Sequence, residues 1–346
     1  MGDLIDKFAT RFREFGEIHI PEMSPFYAHL SLRIADDREL LEIALASGGG
    51  QPPPNLLFAS IRFLLDRGAN PDLLARYPVR FDTDIDPAVF DHFREFVFDH
   101  REQVEELLST KLVQSNVVRR SAVLLTGLMR ISSEVEHRPF VNIEIGASAG
   151  LTLLWEQYSY RYGDGPVVGH VKSDVEIETE LRGSNPFDYS LDMPSVIDNL
   201  GIELDPISDA DGSAMDWLRA LIFPEHEDNR VLFDSTTKIL KNSTPRLIHG
   251  DALVILPEML ADLPTDQPAN IYHSHTLNQF SPEMRKRLDL LLRDASKGRL
   301  ITRLGFEATP QGYSDLRLIK YENGVQNQDV VLANCEAHGR WIDWVG

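Results

Sequence analysis

The chain has 346 residues, about twice the commonest domain length, so its length predicts two domains rather than a single core. Hydrophobic residues make up 42% and charged residues 25%, a composition that argues against a largely disordered chain. The formal net charge is −20, from 34 Lys and Arg against 54 Asp and Glu, which argues against binding to nucleic acid or to a membrane surface. A single cysteine, together with the lack of a basic and apolar leader or a long apolar stretch, predicts a cytoplasmic location.

The N-terminal third of the chain is predicted to be helical. Apolar residues recur at helical spacing in two segments between residues 86 and 131. Glycines and prolines at 47–55 interrupt the pattern, because no helix crosses such a segment. The pattern changes at Pro139, so we place a helical N-terminal domain or lid at 1–135 and a second domain at 136–346.

The second domain alternates short apolar segments with amphipathic helices, a pattern typical of a mainly parallel sheet. The five predicted strands lie at 140–146, 199–205, 245–251, 269–275 and 298–304. The predicted helices lie at 149–161, 213–241 with a break at Pro224, 252–262, and from the cap Ser281 onward. Two alternating segments, DLRLIKY and DVVLANC, flank Asn323-Gly324 and predict a C-terminal antiparallel hairpin. Residues 163–198 form an insert, in which VEIETELRG predicts an extra strand.

The turn after the first strand is the most informative segment. The strand ends in Glu144, turns through Gly146, Ala147, Ser148 and Gly150, and opens a helix. Small residues let the backbone approach a ligand, and a helix N-terminus offers free N–H groups. Because ligands bind at the carboxyl edge of parallel strands, this turn predicts a binding site. Its spaced acid and glycines resemble the first motif of class I S-adenosylmethionine-dependent methyltransferases, with serine in place of the middle glycine.

Two later segments extend this resemblance. LGIELDPIS resembles the second motif, which implies that Glu203, followed by Asp205, accepts hydrogen bonds from the ribose hydroxyls. IHGDAL resembles the third motif, which implies that Asp251 receives the adenine amino group and that the Ala252 N–H faces the ring. The first and second motifs are separated by some thirty residues more than the roughly twenty expected in a nucleotide-binding unit. Glu180, inside the insert, therefore remains an alternative for the ribose acid.

The same turn supports a second hypothesis, a serine hydrolase. Residues 146–150 match G-x-S-x-G with Ser148 as nucleophile, and Asp251 and either His273 or His275 follow in the required order. The hydrolase fold places several strands before this turn, whereas the upstream sequence here predicts helices. A dinucleotide site is excluded by spacing, since its motif needs a glycine at residue 148.

Two histidines alternate along the fourth predicted strand, so we expect His273 and His275 to share one face of the sheet. With His249 and Asp251 they suggest a metal site, but no acidic residue completes a ligand pattern in the sequence, and we predict no metal. In the methyltransferase arrangement this strand end faces the transferred methyl group. One of the two histidines is then the general base, with Glu307 on the same rim.

Nearly the whole chain resembles a bacterial family known only as a domain of unknown function, whose C-terminal half is methyltransferase-like. The segments that carry this resemblance include SPFYAHLSLRIADD, QPPPNLLFASIRFLL, QSNVVRRSAVLL, EIGASAGLTLLWEQYSYRYG, HGDALVILP and YHSHTL. The resemblance implies that Asn116 and Arg120 lie over the cofactor pocket, and the alternative is a polar helix face. Thr152 stands where the family tends to have asparagine, and Arg303 where it tends to have an aromatic residue.

The sequence thus predicts an α/β fold: a Rossmann-like class I methyltransferase sheet of parallel strands with a C-terminal antiparallel hairpin, preceded by a helical domain. The expected function is transfer of a methyl group from S-adenosylmethionine to an unidentified small molecule, with S-adenosylhomocysteine as product. The alternatives are the serine hydrolase and a non-catalytic S-adenosylmethionine-binding protein. The expected partner is the small-molecule substrate.

Overall fold

The computed structural model describes residues 2–81, 84–114, 116–185, 188, 192–207 and 212–345. The α-helices are α1 Gly2–Glu14, α2 Pro25–Ala35, α3 Arg38–Ala44, α4 Pro53–Asp66, α5 Pro71–Leu74, α6 Val89–Asp99, α7 Arg101–Thr110, α8 Arg120–Glu134, α9 Gly212–Ala220, α10 Glu227–Leu240, α11 Ala252–Asp262 and α12 Pro282–Ala295. The strands are β1 Phe140–Ile145, β2 Ser159–Tyr162, β3 Val167–Gly169, β4 Glu176–Arg182, β5 Val196–Glu203, β6 Arg246–His249, β7 Ala269–Ser274, β8 Ile301–Ala308, β9 Ser314–Glu322, β10 Val325–Cys335 and β11 Trp341–Trp344. Within these residues, no helix is both long and apolar enough to cross a bilayer.

The chain divides into two compact units that differ from the predicted domains. The first comprises Met1–Ser115 with Ala210–Val231, and the second comprises Asn116–Asp209 with Leu232–Gly346. The predicted boundary at 135 therefore lies too late, because α8 belongs to the second unit. The division also assigns α9 to the first unit, although we expected it in the second domain.

The first unit is helical, as predicted, and contacts within it explain why the distant segment joins it. The Glu225 carboxylate accepts hydrogen bonds from the Phe26 N–H at 2.8 Å and the Ser24 hydroxyl at 2.7 Å, which caps α2. Trp217 is buried in the core of the N-terminal helices, and its indole N–H donates to the Leu112 carbonyl at 2.8 Å. These contacts join residues far apart in the sequence, so local periodicity could not reveal them.

The second unit is built on one mixed sheet with the order β3-β2-β4-β11-β10-β9-β8-β7-β1-β5-β6. The five predicted strands are β1, β5, β6, β7 and β8, and adjacent pairs among them run parallel. Two of these strands differ in their bounds from the prediction. β5 begins at Val196, inside the predicted insert, and β8 lies at Ile301–Ala308 rather than at 298–304. A large, mostly parallel sheet with helices is therefore confirmed.

The predicted C-terminal hairpin is confirmed as the antiparallel pair β9–β10. Asn323 and Gly324 have φ of 53° and 78°, the left-handed conformation that a two-residue hairpin turn requires. The sheet does not end there, since β11 pairs with both β10 and β4. β4 is the extra strand predicted inside the insert, although residues 186–187 and 189–191 of that insert lie outside the described residues.

The prediction of a helix at 149–161 is wrong. The chain forms a short 3₁₀ segment at Leu151–Gln157 and then enters β2. Tyr158 and Tyr160 are fully buried, and their hydroxyls donate to two carbonyls of the 3₁₀ segment at 2.6 and 2.7 Å. These bonds satisfy carbonyls that a longer helix would have paired, and the alternating tyrosines suit a strand.

A ladder of buried and half-buried polar side chains crosses four adjacent strands of the parallel part of the sheet. Asn142 donates to Asn199 at 2.9 Å, Asn270 donates to Asn142 at 2.8 Å, and Thr302 donates to Asn270 at 2.9 Å. A slip of one residue in any strand would bury unpaired amides, which is costly. The ladder therefore holds the carboxyl ends of β5, β1, β7 and β8 in register.

Different helices cover the two faces of this sheet. On one face α8 approaches β8 so closely that a Cβ on Gly127 would lie 2.5 Å from Leu304 Cδ1. On the other face α11 and α12 pack against the odd-numbered residues of β7 and β8, including Ile271 and Ile301. Alternation along the strands then assigns each site residue to the α8 face or the α12 face.

Candidate functional site

The candidate site lies at the carboxyl edge of the sheet, where the strand order reverses around β1. Ile145, the last residue of β1, is in register with Ile202 of β5 and with His273 of β7. β5 and β6 lie on one side of β1, and β7 and β8 lie on the other, so the order of these five parallel strands reverses at β1. In α/β sheets, this reversal opens a crevice that binds ligands.

The turn at 146–150 has left-handed backbone at three positions. Gly146, Ser148 and Gly150 have φ of 76°, 51° and 72°. A Cβ on Gly146 would lie 2.5 Å from the Thr276 hydroxyl, and one on Gly150 would lie 2.7 Å from Pro245. The glycines therefore make room for the chain's own side chains, whereas we expected them to make room for a ligand.

Several residues predicted to bind the cofactor do meet at this turn. Glu203 Oε2 accepts the Ser148 N–H at 2.8 Å, and Oε1 accepts the Asp205 N–H at 3.2 Å. The Asn116 side-chain amide donates to the Ala147 carbonyl at 3.0 Å. These bonds hold the turn and the end of β5 as one polar edge.

Asp251 and Ala252 lie at the end of β6, beside this edge. Asp251 is exposed and caps α11, since its Oδ1 accepts the Leu253 N–H at 2.8 Å. Ala252 is buried as the first residue of α11. The helix cap accounts for one carboxylate oxygen of Asp251.

Glu180, the alternative ribose acid, lies far from the turn. It belongs to β4, is exposed, and pairs with Arg182 through two contacts of 3.0 Å. β4 is six strands away from β1, a distance of about 29 Å at about 4.8 Å per strand. Glu180 therefore cannot share a binding site with the turn.

Glu144 is a buried carboxylate on the α8 face, only 2% exposed. The Thr152 hydroxyl lies 2.7 Å from both of its oxygens, and the Tyr272 hydroxyl lies 3.1 Å from Oε2. Burial raises the pKa of Glu144 to about 7, even though both hydroxyls favour the charged form. Near neutral pH this carboxylate can therefore hold or release a proton.

Arg120, the first residue of α8, is a buried cation near Glu144. Burial lowers the pKa of its guanidinium to about 10, against the attraction of Glu307, Glu336 and Glu144. Within the described residues its one hydrogen bond runs from Nε to the Ala337 carbonyl at 3.0 Å. The remaining guanidinium nitrogens are therefore open to an anionic group.

The raised pKa of Glu144 predicts a pH-dependent stability. The folded protein holds this proton more tightly than the unfolded chain, so the free energy of unfolding should fall as pH rises from about 4.5 to about 7. Glu144→Gln should remove this contribution, at most about 1.4 kcal/mol per pH unit. Urea denaturation at several pH values measures the difference. Glu258→Gln, on the exposed side of α11, is the control, and identical pH profiles for wild type and Glu144→Gln would contradict the prediction.

His273 and Glu307 form a buried pair on the α12 face. His273 Nδ1 lies 2.7 Å from Glu307 Oε1, which also accepts the Thr276 and Leu277 N–H groups at 3.0 Å. Burial opposes the charge on Glu307, but these hydrogen bonds together hold its pKa below the usual value. In a neutral ring, a carboxylate at Nδ1 selects the tautomer with its proton there, which leaves the lone pair on Nε2. Nε2 has no partner among the described residues.

The prediction that His275 shares a face with His273 is wrong. β7 ends at Ser274, and His275 turns into left-handed backbone with φ of 52°. Its ring packs edge-on against Phe306, 5.2 Å between centroids, and its Nε2 lies 3.2 Å from the Ser314 hydroxyl. Burial, reinforced by Arg120, lowers the pKa of His275 to about 3, so its ring is neutral.

The residues of the hydrolase hypothesis are not joined by hydrogen bonds. The Ser148 hydroxyl is buried and has no hydrogen-bond partner in the described residues, so neither His273 nor His275 contacts it in that way. Asp251 caps α11 instead of orienting a histidine. Among the same residues, no group of three or more His, Cys, Asp or Glu side chains is arranged to hold a metal ion.

The two side chains that donate hydrogen bonds to Glu144 were not predicted from the sequence. Thr152 was noted only as a departure from the family, and Tyr272 was not considered. Tyr272 stands directly opposite Glu144 in the β1–β7 register, so the two side chains share a face. The sequence shows a tyrosine next to a histidine, but only the register assigns it to Glu144.

A family model described as an uncharacterised protein conserved in bacteria (DUF2332) matches residues 9–344. The chain therefore belongs to this family, which confirms the predicted resemblance to a bacterial family of unknown function over nearly the whole length. No curated protein and no solved structure matches the chain significantly.

Proposed function

We propose that this protein is an S-adenosylmethionine-dependent methyltransferase that acts on a small molecule and binds its cofactor at the carboxyl edge of β1, β5 and β6. The observation that carries the proposal is that the buried carboxyl group of Glu144, two residues before the turn, and the buried guanidinium of Arg120 are not joined by an ion pair in the described chain. Glu144 attracts Arg120, but less than Glu307 and Glu336 do. The methionine part of the cofactor has a carboxylate and an ammonium group, which complement this pair.

The neighbouring residues fit the rest of the cofactor. Each oxygen of Glu203 accepts one backbone N–H and keeps a lone pair for a ribose hydroxyl. Asp251 presents an exposed carboxylate at the end of β6, where the third motif implies adenine recognition. The unpartnered Ser148 hydroxyl adds a donor inside the turn. The order β6-β5-β1-β7-β8, followed by antiparallel strands, fits the methyltransferase-like sheet that the motifs imply.

The chain's own residues bind and position the cofactor and the acceptor, and they remove a proton from the acceptor. When bound, S-adenosylmethionine supplies the electrophilic methyl group. His273 takes the acceptor's proton on Nε2, while Glu307 holds the ring through Nδ1. His275 is not the base, because its pKa of about 3 makes it a weak proton acceptor. We place this reaction in the cytoplasm, where the single buried thiol of Cys335 stays reduced.

Calorimetric titration with S-adenosylhomocysteine tests the proposal, with ATP and NAD as control ligands. We expect micromolar and selective binding. The proposal fails if S-adenosylhomocysteine does not bind at millimolar concentration, or if it binds no better than ATP. Binding without turnover of any acceptor would support the non-catalytic alternative.

The variant Glu203→Ala should raise the dissociation constant for S-adenosylhomocysteine at least tenfold, or about 1.4 kcal/mol. Both the ribose acceptor and the hydrogen bond that holds the Ser148 N–H are lost. The same titration measures the change, with Glu258→Ala on the exposed side of α11 as the control. Unchanged affinity in Glu203→Ala would remove this residue from the site.

The variant Ser148→Gly separates the methyltransferase from the hydrolase. Glycine tolerates a φ of 51° without steric cost, so the free energy of unfolding should rise by up to about 1 kcal/mol. The variant keeps the N–H that binds Glu203 and loses only the hydroxyl donor, so it should still bind S-adenosylhomocysteine, whereas a hydrolase would lose its nucleophile. Ser133→Gly, in the last turn of α8, is the control and should lower stability by about 0.5 kcal/mol. Labelling of wild-type Ser148 by a fluorophosphonate would instead favour the hydrolase.

A further inference from the structure

Apart from the candidate cofactor site, a cavity lies on the α12 face of the sheet, near the ends of β7 and β8 and the start of β9. Its volume is about 210 Å³, and its charged or titratable lining residues are His273, Arg285, Arg303, Glu307, Asp315 and Arg317. His273, Gly305 and Glu307 share this face, whereas Glu144 and Tyr272 lie on the opposite one. The cavity therefore adjoins the proposed base without overlapping the Arg120–Glu144 pair.

The charges that line this cavity do not balance. Arg317 is paired with Asp329 at 2.6 Å and lies 3.9 Å from Asp315. Glu307 Oε1 is held by His273 and two backbone N–H groups, whereas its Oε2 has no hydrogen-bond partner among the described residues. Each of these carboxylates therefore already has a partner other than Arg303 or Arg285.

Two arginines are left without a carboxylate partner. Arg303 makes no hydrogen bond or ion pair with any described residue. Asp289 lies close enough for Arg303 to lower its pKa, but its oxygens are taken by Arg293 at 2.7 Å and the Tyr321 hydroxyl at 2.8 Å. Arg285 Nε donates only to the Phe280 carbonyl, at 3.1 Å. A cavity with two guanidinium groups that lack a carboxylate partner is suited to an anion.

We infer that this cavity binds the carboxylate or phosphate group of a small molecule through Arg303 and Arg285. The guanidinium fork matches the paired oxygens of such groups. A volume of about 210 Å³ is below the roughly 300–1,000 Å³ of drug-sized ligand pockets, and it suits a short organic acid or a phosphate ester. If the proposed function holds, this anion is the methyl acceptor, and its reacting O–H or N–H group lies at His273 Nε2.

Anion binding is tested by NMR line broadening, with inorganic phosphate observed by ³¹P and labelled acetate by ¹³C. We expect saturable broadening with wild-type protein, and the tighter of the two probes identifies the preferred group. Arg303→Gln should weaken binding at least tenfold. Arg285→Gln, on the exposed side of α12, should weaken it several-fold without affecting folding. Lys286→Gln removes one charge from the next residue, outside the cavity lining, and should bind as the wild type does.

The outcomes separate this inference from the proposed function. Equal broadening in wild type, Arg303→Gln and Arg285→Gln would overturn the inference, as would the absence of saturable broadening, whatever S-adenosylhomocysteine does. Arginine-dependent broadening without S-adenosylhomocysteine binding would support the anion site and overturn the methyltransferase.

Discussion

Replacing His273 with Gln is expected to slow formation of S-adenosylhomocysteine by about 10²–10⁴-fold, because the change removes the base that takes the acceptor's proton. The reaction contains S-adenosylmethionine and the low-molecular-weight fraction of a bacterial extract, and mass spectrometry quantifies the product. Binding of S-adenosylhomocysteine should stay unchanged, because His273 lies on the α12 face and Glu144 lies on the α8 face. A lower rate with unchanged cofactor affinity is the signature of a base.

Two further variants serve as the control and the comparison for His273→Gln. His170→Gln removes an exposed imidazole that follows β3, at the far edge of the sheet, and should react at the wild-type rate. Glu307→Gln should also slow the reaction, but less than His273→Gln, because it removes the charge that holds the ring and leaves Nε2 in place. If His273→Gln turns over as fast as His170→Gln, another group is the base.

Replacing Arg120 with Met should weaken binding of S-adenosylhomocysteine by about tenfold to hundredfold. A hydrogen bond to a charged group contributes about 1.5–3 kcal/mol, and the variant loses the guanidinium that we assign to the ligand carboxylate. Stability should fall, because the Ala337 carbonyl loses its donor and the carboxylates near Arg120 lose the cation that attracts them. Calorimetry measures the affinity, and urea denaturation measures the free energy of unfolding.

The matched control for Arg120→Met is Arg130→Met, on the same helix. Arg130 is half exposed and paired with Glu134 at 3.0 Å, away from the turn. It should bind S-adenosylhomocysteine as the wild type does. A stable Arg120→Met protein with wild-type affinity would contradict the assignment of Arg120 to the cofactor.

Local patterns in the sequence were sufficient for several elements. The helix predicted at 252–262 is α11 at the same bounds, and Ser281 caps α12, with its hydroxyl accepting the Met284 N–H at 3.2 Å. The Asn323-Gly324 turn and the parallel strands were also predictable. In each case the signal is a period, a cap or a turn residue within about a dozen neighbouring positions.

Side-chain partners in the site depended on contacts between distant segments. Strand register places Tyr272 on Glu144, and a single left-handed residue sends His275 to the face opposite His273. The sequence indicates a strand with two histidines, and strict alternation would place both on one side. The strand ends one residue before that rule would apply to His275.

By itself, the sequence determined that this protein is an acidic member of a bacterial family, with helices followed by a mostly parallel sheet and a turn of small residues after its first strand. Only the tertiary structure decided that Ala210–Val231 folds with the N-terminal helices and that Glu180 is remote from the turn. It also brought Arg120 close to Glu144 and left Arg303 without a partner. The physical reason is that periodicity, caps and turns act over a few residues, whereas burial, pairing and pKa values depend on neighbours from distant segments that only the folded chain brings together.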